Sequence, residues 1–109
     1  MPDKIKVQIK EHFVAFKKDI PNGEGRPLEV EGVSIALFNL DGKFFALSNT
    51  CLHEGGPIGE GSVDDSTVTC PWHGWQYDVK SGNCLTFEGL KLKSYKTKVV
   101  GEKVFVSLD

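Results

Sequence analysis

Two short clusters, Cys51-Leu52-His53 and Cys70-Pro71-Trp72-His73, each pair one thiol with one imidazole, and sixteen residues separate them. Four soft or borderline donors in this pattern read as a metal site, so the fold must carry two distant loops to one point. Zinc ribbons and fingers group like ligands, Cys-x2-4-Cys and then His-x3-5-His. Here each cluster mixes the types. If the two cysteines bind one iron of a [2Fe–2S] core and the two histidines bind the other, each loop supplies one ligand to each iron and the loops brace each other. A single zinc held by the same four residues is the alternative.

The segments that follow the clusters, Glu54-Gly55-Gly56-Pro57-Ile58 and Gly74-Trp75-Gln76-Tyr77-Asp78 with Ser81-Gly82 beyond, complete a pattern. It resembles the Rieske-type [2Fe–2S] ferredoxins that feed bacterial ring-hydroxylating oxygenases, and a weaker likeness covers nearly the whole chain. The resemblance implies one Rieske-type cluster, with Cys51 and Cys70 on the inner iron and His53 and His73 on the outer. It also implies a one-electron carrier, monomeric, that meets a flavin-containing reductase and a terminal oxygenase transiently. Two other readings stand beside it. One is the Rieske-like small subunit of an assimilatory nitrite reductase; the other is an iron–sulfur redox sensor that acts by binding partners.

Charge counting gives the ligand set its consequence. Two thiolates and two neutral imidazoles leave an oxidised core of formal charge +2 neutral, whereas four thiolates would leave it at −2, so an added electron is easier to accept. The potential rises from about −400 mV for the all-cysteine plant-type cluster into a window of roughly −150 to +300 mV. Respiratory and photosynthetic Rieske proteins, at the upper end, carry a disulfide between the ligand loops and a serine that donates to a cluster sulfur. Gly56, Trp72 and Trp75 occupy the corresponding positions, so both devices are missing and the low end is expected. Tyr77 is retained and its phenol is placed to donate to a ligand sulfur. No proline follows Pro71, so the proline-containing loop that often covers the cluster in this family has no counterpart in residues 86–92.

The chain is 109 residues long, 39% hydrophobic, with a net charge of −2 and three cysteines. That length suits a single domain over 1–109, with a cluster-binding part at approximately 50–80. No apolar run reaches the ~18 residues of a membrane span, and the first residues lack the apolar stretch of a signal peptide. The expectation is therefore no membrane and a cytoplasmic location. With two cysteines claimed by the metal, Cys84 has no disulfide partner, which fits a reducing compartment. The slight negative charge without a basic patch argues against nucleic acid. No catalytic constellation accompanies the ligands, and four donors leave no open iron position. Electron transfer, not catalysis, is the chemistry that remains.

Alternation of apolar and polar residues predicts strands at 4–10, 13–16, 28–30, 33–40, 43–48, 67–69, 75–78, 84–87, 95–100 and 104–108, and no segment has a helical period. Glu31-Gly32 and Asp41-Gly42 read as hairpin turns, Ile20–Gly25 as a loop, 63–66 as an exposed turn. The fold class is all-β: a Rieske-like antiparallel sandwich or barrel with a small subdomain made of the two ligand loops. Because Cys51 and Cys70 anchor the inner iron to the strands leading into the loops, the imidazoles form the tip. Leu52, Gly55, Pro57 and Trp72 are then expected to rim it as a docking face, with Glu54 and Glu60 steering a basic partner.

Overall fold

Two tight hairpins build the middle of the main sheet in this computed structural model, which describes residues 11–108. In the Glu31-Gly32 loop φ is 49° and 80°, and in Asp41-Gly42 it is 55° and 86°. Both residues of each loop are left-handed, the condition for the turn whose twist matches antiparallel strands. They join β2 (Glu24–Val30), β3 (Val33–Leu40) and β4 (Lys43–Ser48) in register, with Val30 opposite Val33 and Leu40 opposite Lys43. Buried Asn39 fixes the second turn: its Oδ1 accepts from Gly42 N–H at 2.8 Å, and its Nδ2 donates to the Ile20 carbonyl at 2.8 Å.

The sheet is completed by β1 (Glu11–Phe16), β8 (Ser94–Val100) and β9 (Lys103–Ser107), in the spatial order β1-β9-β8-β4-β3-β2. A second, three-stranded sheet holds β5 (Ser62–Asp64), β6 (Thr67–Thr69) and β7 (Gln76–Asp78) in that order. All these pairings are antiparallel. The helical segments among the described residues are two short 3-10 turns, Lys17–Asp19 and Ile58–Glu60. No helix among the described residues is long and apolar enough to cross a membrane.

Strand β3 decides where the ligand loops sit. It is buried on both faces, and its alternation sends Ile35 and Leu37 to one core and Ala36 and Phe38 to the other. The first core lies inside the curl of the main sheet, with Ala15, Ile20, Val30, Phe44, Ala46, Val104 and Val106. The second holds Ile58, Val68, Tyr77, Val79, Leu92 and the three cysteines against Ala36, Phe38 and Leu47. Each of these large side chains contributes about 1.5–3 kcal/mol when fully buried. The small sheet and both ligand loops are thereby pressed onto the outer face of β3 and β4.

Several expected boundaries move, each for a visible reason. The strand expected at 28–30 begins at Glu24, because β2 is an edge strand and tolerates Pro27 there. Val63 and Asp64 pair with Val68 and Thr67 as β5, so the turn narrows to Asp65-Ser66, where Asp65 has φ 60°. Residues 84–87 form no strand. Cys84 makes one bridge to Tyr77, after which its N–H donates to the Leu90 carbonyl at 2.8 Å and closes a loop. The strand expected at 4–10 lies outside the described residues.

Candidate metal centre

The two ligand loops have the same backbone build. Cys51 N–H donates to the Gly56 carbonyl at 2.9 Å and Gly55 N–H to the Cys51 carbonyl at 2.9 Å. In the second loop Cys70 N–H donates to the Trp75 carbonyl at 2.7 Å and Gly74 N–H to the Cys70 carbonyl at 3.1 Å. Gly55 and Gly74 close the turns with φ of 79° and 78°, which a side chain would strain. Within these matched frames the histidine is two residues after the cysteine in the first loop and three after it in the second.

Asn49 ties the first loop to the main sheet. Its Oδ1 accepts from Gly59 N–H at 2.6 Å and its carbonyl accepts from Ile58 N–H at 2.8 Å. Its own N–H donates to the Ser34 carbonyl at 3.1 Å, and its Nδ2 to Ser34 Oγ at 3.2 Å. At 8% exposure these bonds are shielded from water, which makes leaving any of them unmade costly.

The loops bring the four expected ligands together with their chemistry sorted by depth. Cys51 and Cys70 are 3% and 2% exposed, whereas His53 and His73 are exposed. The imidazole rings meet edge to face with centroids 4.6 Å apart. The thiols are unpaired with each other and interact. Burial pushes the Cys51 thiol up, but the Tyr77 hydroxyl, the His53 N–H, the Cys70 thiol and the Glu54 N–H together outweigh it and leave it below its ordinary value. Burial raises Cys70, and the adjacent Cys51 raises it further.

The donor set fits a [2Fe–2S] core with two thiolates inside and two imidazoles outside. The backbone leaves room beside the sulfurs, because a Cβ on Gly56 would stand 2.8 Å from Cys70 Sγ and 2.9 Å from Trp72 Cγ. Tyr77 is fully buried, and its hydroxyl lies 3.4 Å from Cys51 Sγ while accepting from Leu52 N–H at 3.1 Å. Burial, then the neighbouring Cys51, pushes the Tyr77 phenol far above its usual value, so it stays a donor.

Aromatic rings cover the side where the proline loop is missing. Trp75 lies flat on His53, with centroids 4.8 Å apart and planes 14° off parallel, and Phe87 packs against Trp75 at 4.6 Å. The loop after Cys84 holds Phe87 in place, with its N–H directed at Cys84 Sγ at 3.4 Å. Phe87 and Asn49 were not legible as site residues. Their signals, a lone aromatic in an apolar stretch and an Asn before a ligand loop, are common elsewhere.

Leu52 and Trp72 project at the tip, 47% and 56% exposed. Pro57 is half-buried and bridged to Thr50, so it lies at the base of the loop and offers less surface than the other two. Glu54 is exposed at the tip but turned to His73, with Oε1 2.7 Å from Nε2. His53, Glu54 and His73 offer donor atoms within 4.8 Å of one another.

A family model described as "Rieske [2Fe-2S] domain" matches residues 10–96. The chain is 36% identical over 92 residues to the 3-phenylpropionate/cinnamic acid dioxygenase ferredoxin subunit of Escherichia coli (strain K12), covering 83% of this chain and 86% of that protein. It is 35% identical over 97 residues to Apoptosis-inducing factor 3 of Homo sapiens, covering 88% of this chain but spanning only 16% of the length of that relative. Among solved structures, the ferredoxin of carbazole 1,9a-dioxygenase from Nocardioides aromaticivorans IC177 superposes with a TM-score of 0.85, covering 93% of this chain and 100% of that one at 23% identity. That likeness speaks for the fold.

Proposed function

The chain belongs to the Rieske [2Fe–2S] family, and we propose that it carries single electrons from a flavin-containing reductase to the terminal oxygenase of an aromatic-ring-hydroxylating system. The observation that carries this reading is the sorting of the donors, thiols buried and imidazoles at the exposed tip. The E. coli relative is the ferredoxin subunit of a dioxygenase and matches over most of its length. The domain is then one component of a larger oxidoreductase system, and its unpaired thiols suit the reducing cytoplasm.

In this reading Cys51 and Cys70 hold the inner iron and His53 and His73 the outer. The bound cluster supplies reversible one-electron oxidation and reduction at a potential within the Rieske window. The chain's own residues do the rest. The buried cysteines fasten the site to the core packed on β3 and β4. The flat stack of Trp75 on His53, with Phe87 packed behind it, covers one side of the site. The Tyr77 hydroxyl faces a ligand sulfur from below. Leu52 and Trp72 beside the imidazoles give a small apolar contact, the kind that transient redox partners use.

The test is to purify the protein anaerobically, measure iron and acid-labile sulfide, and record the electron paramagnetic resonance of the reduced form. Two irons, two sulfides and an average g below that of all-cysteine clusters are expected. Stoichiometric zinc in a colourless protein overturns the reading. Reconstitution with a flavin reductase and a ring-hydroxylating oxygenase then measures electron delivery directly.

A further inference from the structure

The two imidazoles are held by different means. His53 is clamped by the face of Trp75. His73 is held through Nε2, which lies 2.7 Å from Glu54 Oε1, and both side chains are exposed at 47% and 58%. Among the described residues, no other carboxylate bonds to either ring. A carboxylate only accepts, so in the neutral imidazole that a metal requires Nε2 carries the proton and Nδ1 keeps the lone pair. The bond therefore selects one tautomer and one ring orientation out of those an exposed histidine would sample.

Resting on the ferredoxin reading above, we propose that Glu54 is a positioning residue. It fixes His73 with Nδ1 toward the outer iron, and through the same bond it lowers the reduction potential of this protein. Two effects act in one direction. A carboxylate accepting from the outward N–H of a ligating imidazole makes that imidazole a stronger donor, which favours the oxidised metal. The anionic oxygen also sits beside the place where an electron is added, and its repulsion opposes reduction. Both rest on the geometry of one side chain that reaches across from the first loop to the ligand of the second, nineteen positions apart in sequence. Glu54 thereby joins the two loops on the solvent side, as the buried thiols do from beneath.

The charge-steering role expected of Glu54 from the sequence becomes secondary. An exposed carboxylate free in solvent steers partners; one bonded to a ligand acts on the ligand first. Glu60 is exposed and in the same stretch of chain, and no bond from it to either histidine occurs among the described residues. It provides the matched control.

The test compares midpoint potentials of wild type, Glu54→Gln, Glu54→Ala and Glu60→Gln, measured by spectroscopic redox titration at one pH and high salt, with the electron paramagnetic resonance of each reduced form. Glu54→Gln keeps an acceptor oxygen and removes the charge. It is expected to favour reduction about tenfold, a rise of ~59 mV for one electron, with g values as in wild type. Glu54→Ala removes the acceptor as well and is expected to rise at least as far, with broadened g values from a freed His73. Glu60→Gln should stay near wild type. Wild-type potentials in both Glu54 variants overturn the proposal, and so does an equal shift in Glu60→Gln, which would make it a general surface field. Loss of the cluster from both Glu54 variants also overturns it, because Glu54→Gln keeps the acceptor that orients His73 and a positioning role therefore requires that variant to assemble. A wild-type protein without a [2Fe–2S] spectrum would instead sink the ferredoxin reading itself.

Discussion

The Tyr77 hydroxyl stands 3.4 Å from Cys51 Sγ and 3.1 Å from the backbone nitrogen of Leu52. The Leu52 N–H can only donate, so the hydroxyl accepts there and its single proton is left for the sulfur. A donor to a ligand sulfur stabilises the added electron. Tyr77→Phe keeps the buried ring and removes this bond, and the midpoint potential should fall by roughly 20–60 mV, the equivalent of a ~0.5–1.5 kcal/mol hydrogen bond for one electron. An unchanged midpoint would show that the proton points elsewhere.

Gly56 is required by space rather than by backbone angle. A Cβ there meets Cys70 Sγ at 2.8 Å, closer than real Cβ contacts come, and the buried sulfur has nowhere to retreat. Gly56→Ala should therefore fold with the same far-ultraviolet circular dichroism but bind severalfold less iron and sulfide. Full cluster content in that variant would show that the loops have more slack than this packing allows.

Asn49 couples the first loop to β3, and its side chain both accepts from Gly59 and donates to Ser34. Asn49→Ala leaves the Gly59 N–H unpaired in a buried setting, which costs about 1–3 kcal/mol. The midpoint of thermal unfolding should drop by on the order of 10 °C. Calorimetry of the cluster-loaded protein checks this, and a loss under a couple of degrees would mean that water replaces the side chain.

Cys84 shares the core of the ligand thiols without sharing their role. It is 7% exposed and packs on the loop that holds Phe87, away from the imidazole tip. Cys84→Ser should keep the full visible spectrum, whereas His53→Ala and His73→Ala should each lose it. A bleached Cys84→Ser protein would mean that the ligands are wrongly assigned.

Leu52 and Trp72 offer exposed apolar surface at the tip, beside the imidazoles. Leu52→Asp and Trp72→Ser should each slow electron delivery to an oxygenase about tenfold, in line with the loss of ~1.4 kcal/mol of contact, while leaving the spectrum and midpoint unchanged. Rates equal to wild type in stopped-flow reduction and reoxidation would place the docking face elsewhere on the molecule.

The features that the sequence determined by itself are those written in adjacent residues. The ligand clusters, the Asp41-Gly42 and Glu31-Gly32 turns and the alternation along 33–40 are local, because left-handed turn residues and a period of two act within a few positions of one another. That β3 is packed on two sides is a finding of the structure, where its alternate residues enter two separate cores. What only the tertiary structure decided are the contacts made after the loops had docked. Residues 84–87 read as a strand, but β7 gives them a single bridge and the main sheet has no free edge at that place, so their apolar side chains serve as a cover instead. Trp75 and Phe87 replace a proline loop because docking sets one ring on His53 and the other behind it. Glu54 reads as one acid among many until the second loop places His73 Nε2 within 2.7 Å of it. Such pairs, Trp75 with Phe87, Glu54 with His73 and His53 with Trp75, join distant positions through geometry that a sheet and two matched loops impose, and no neighbouring residue carries the signal.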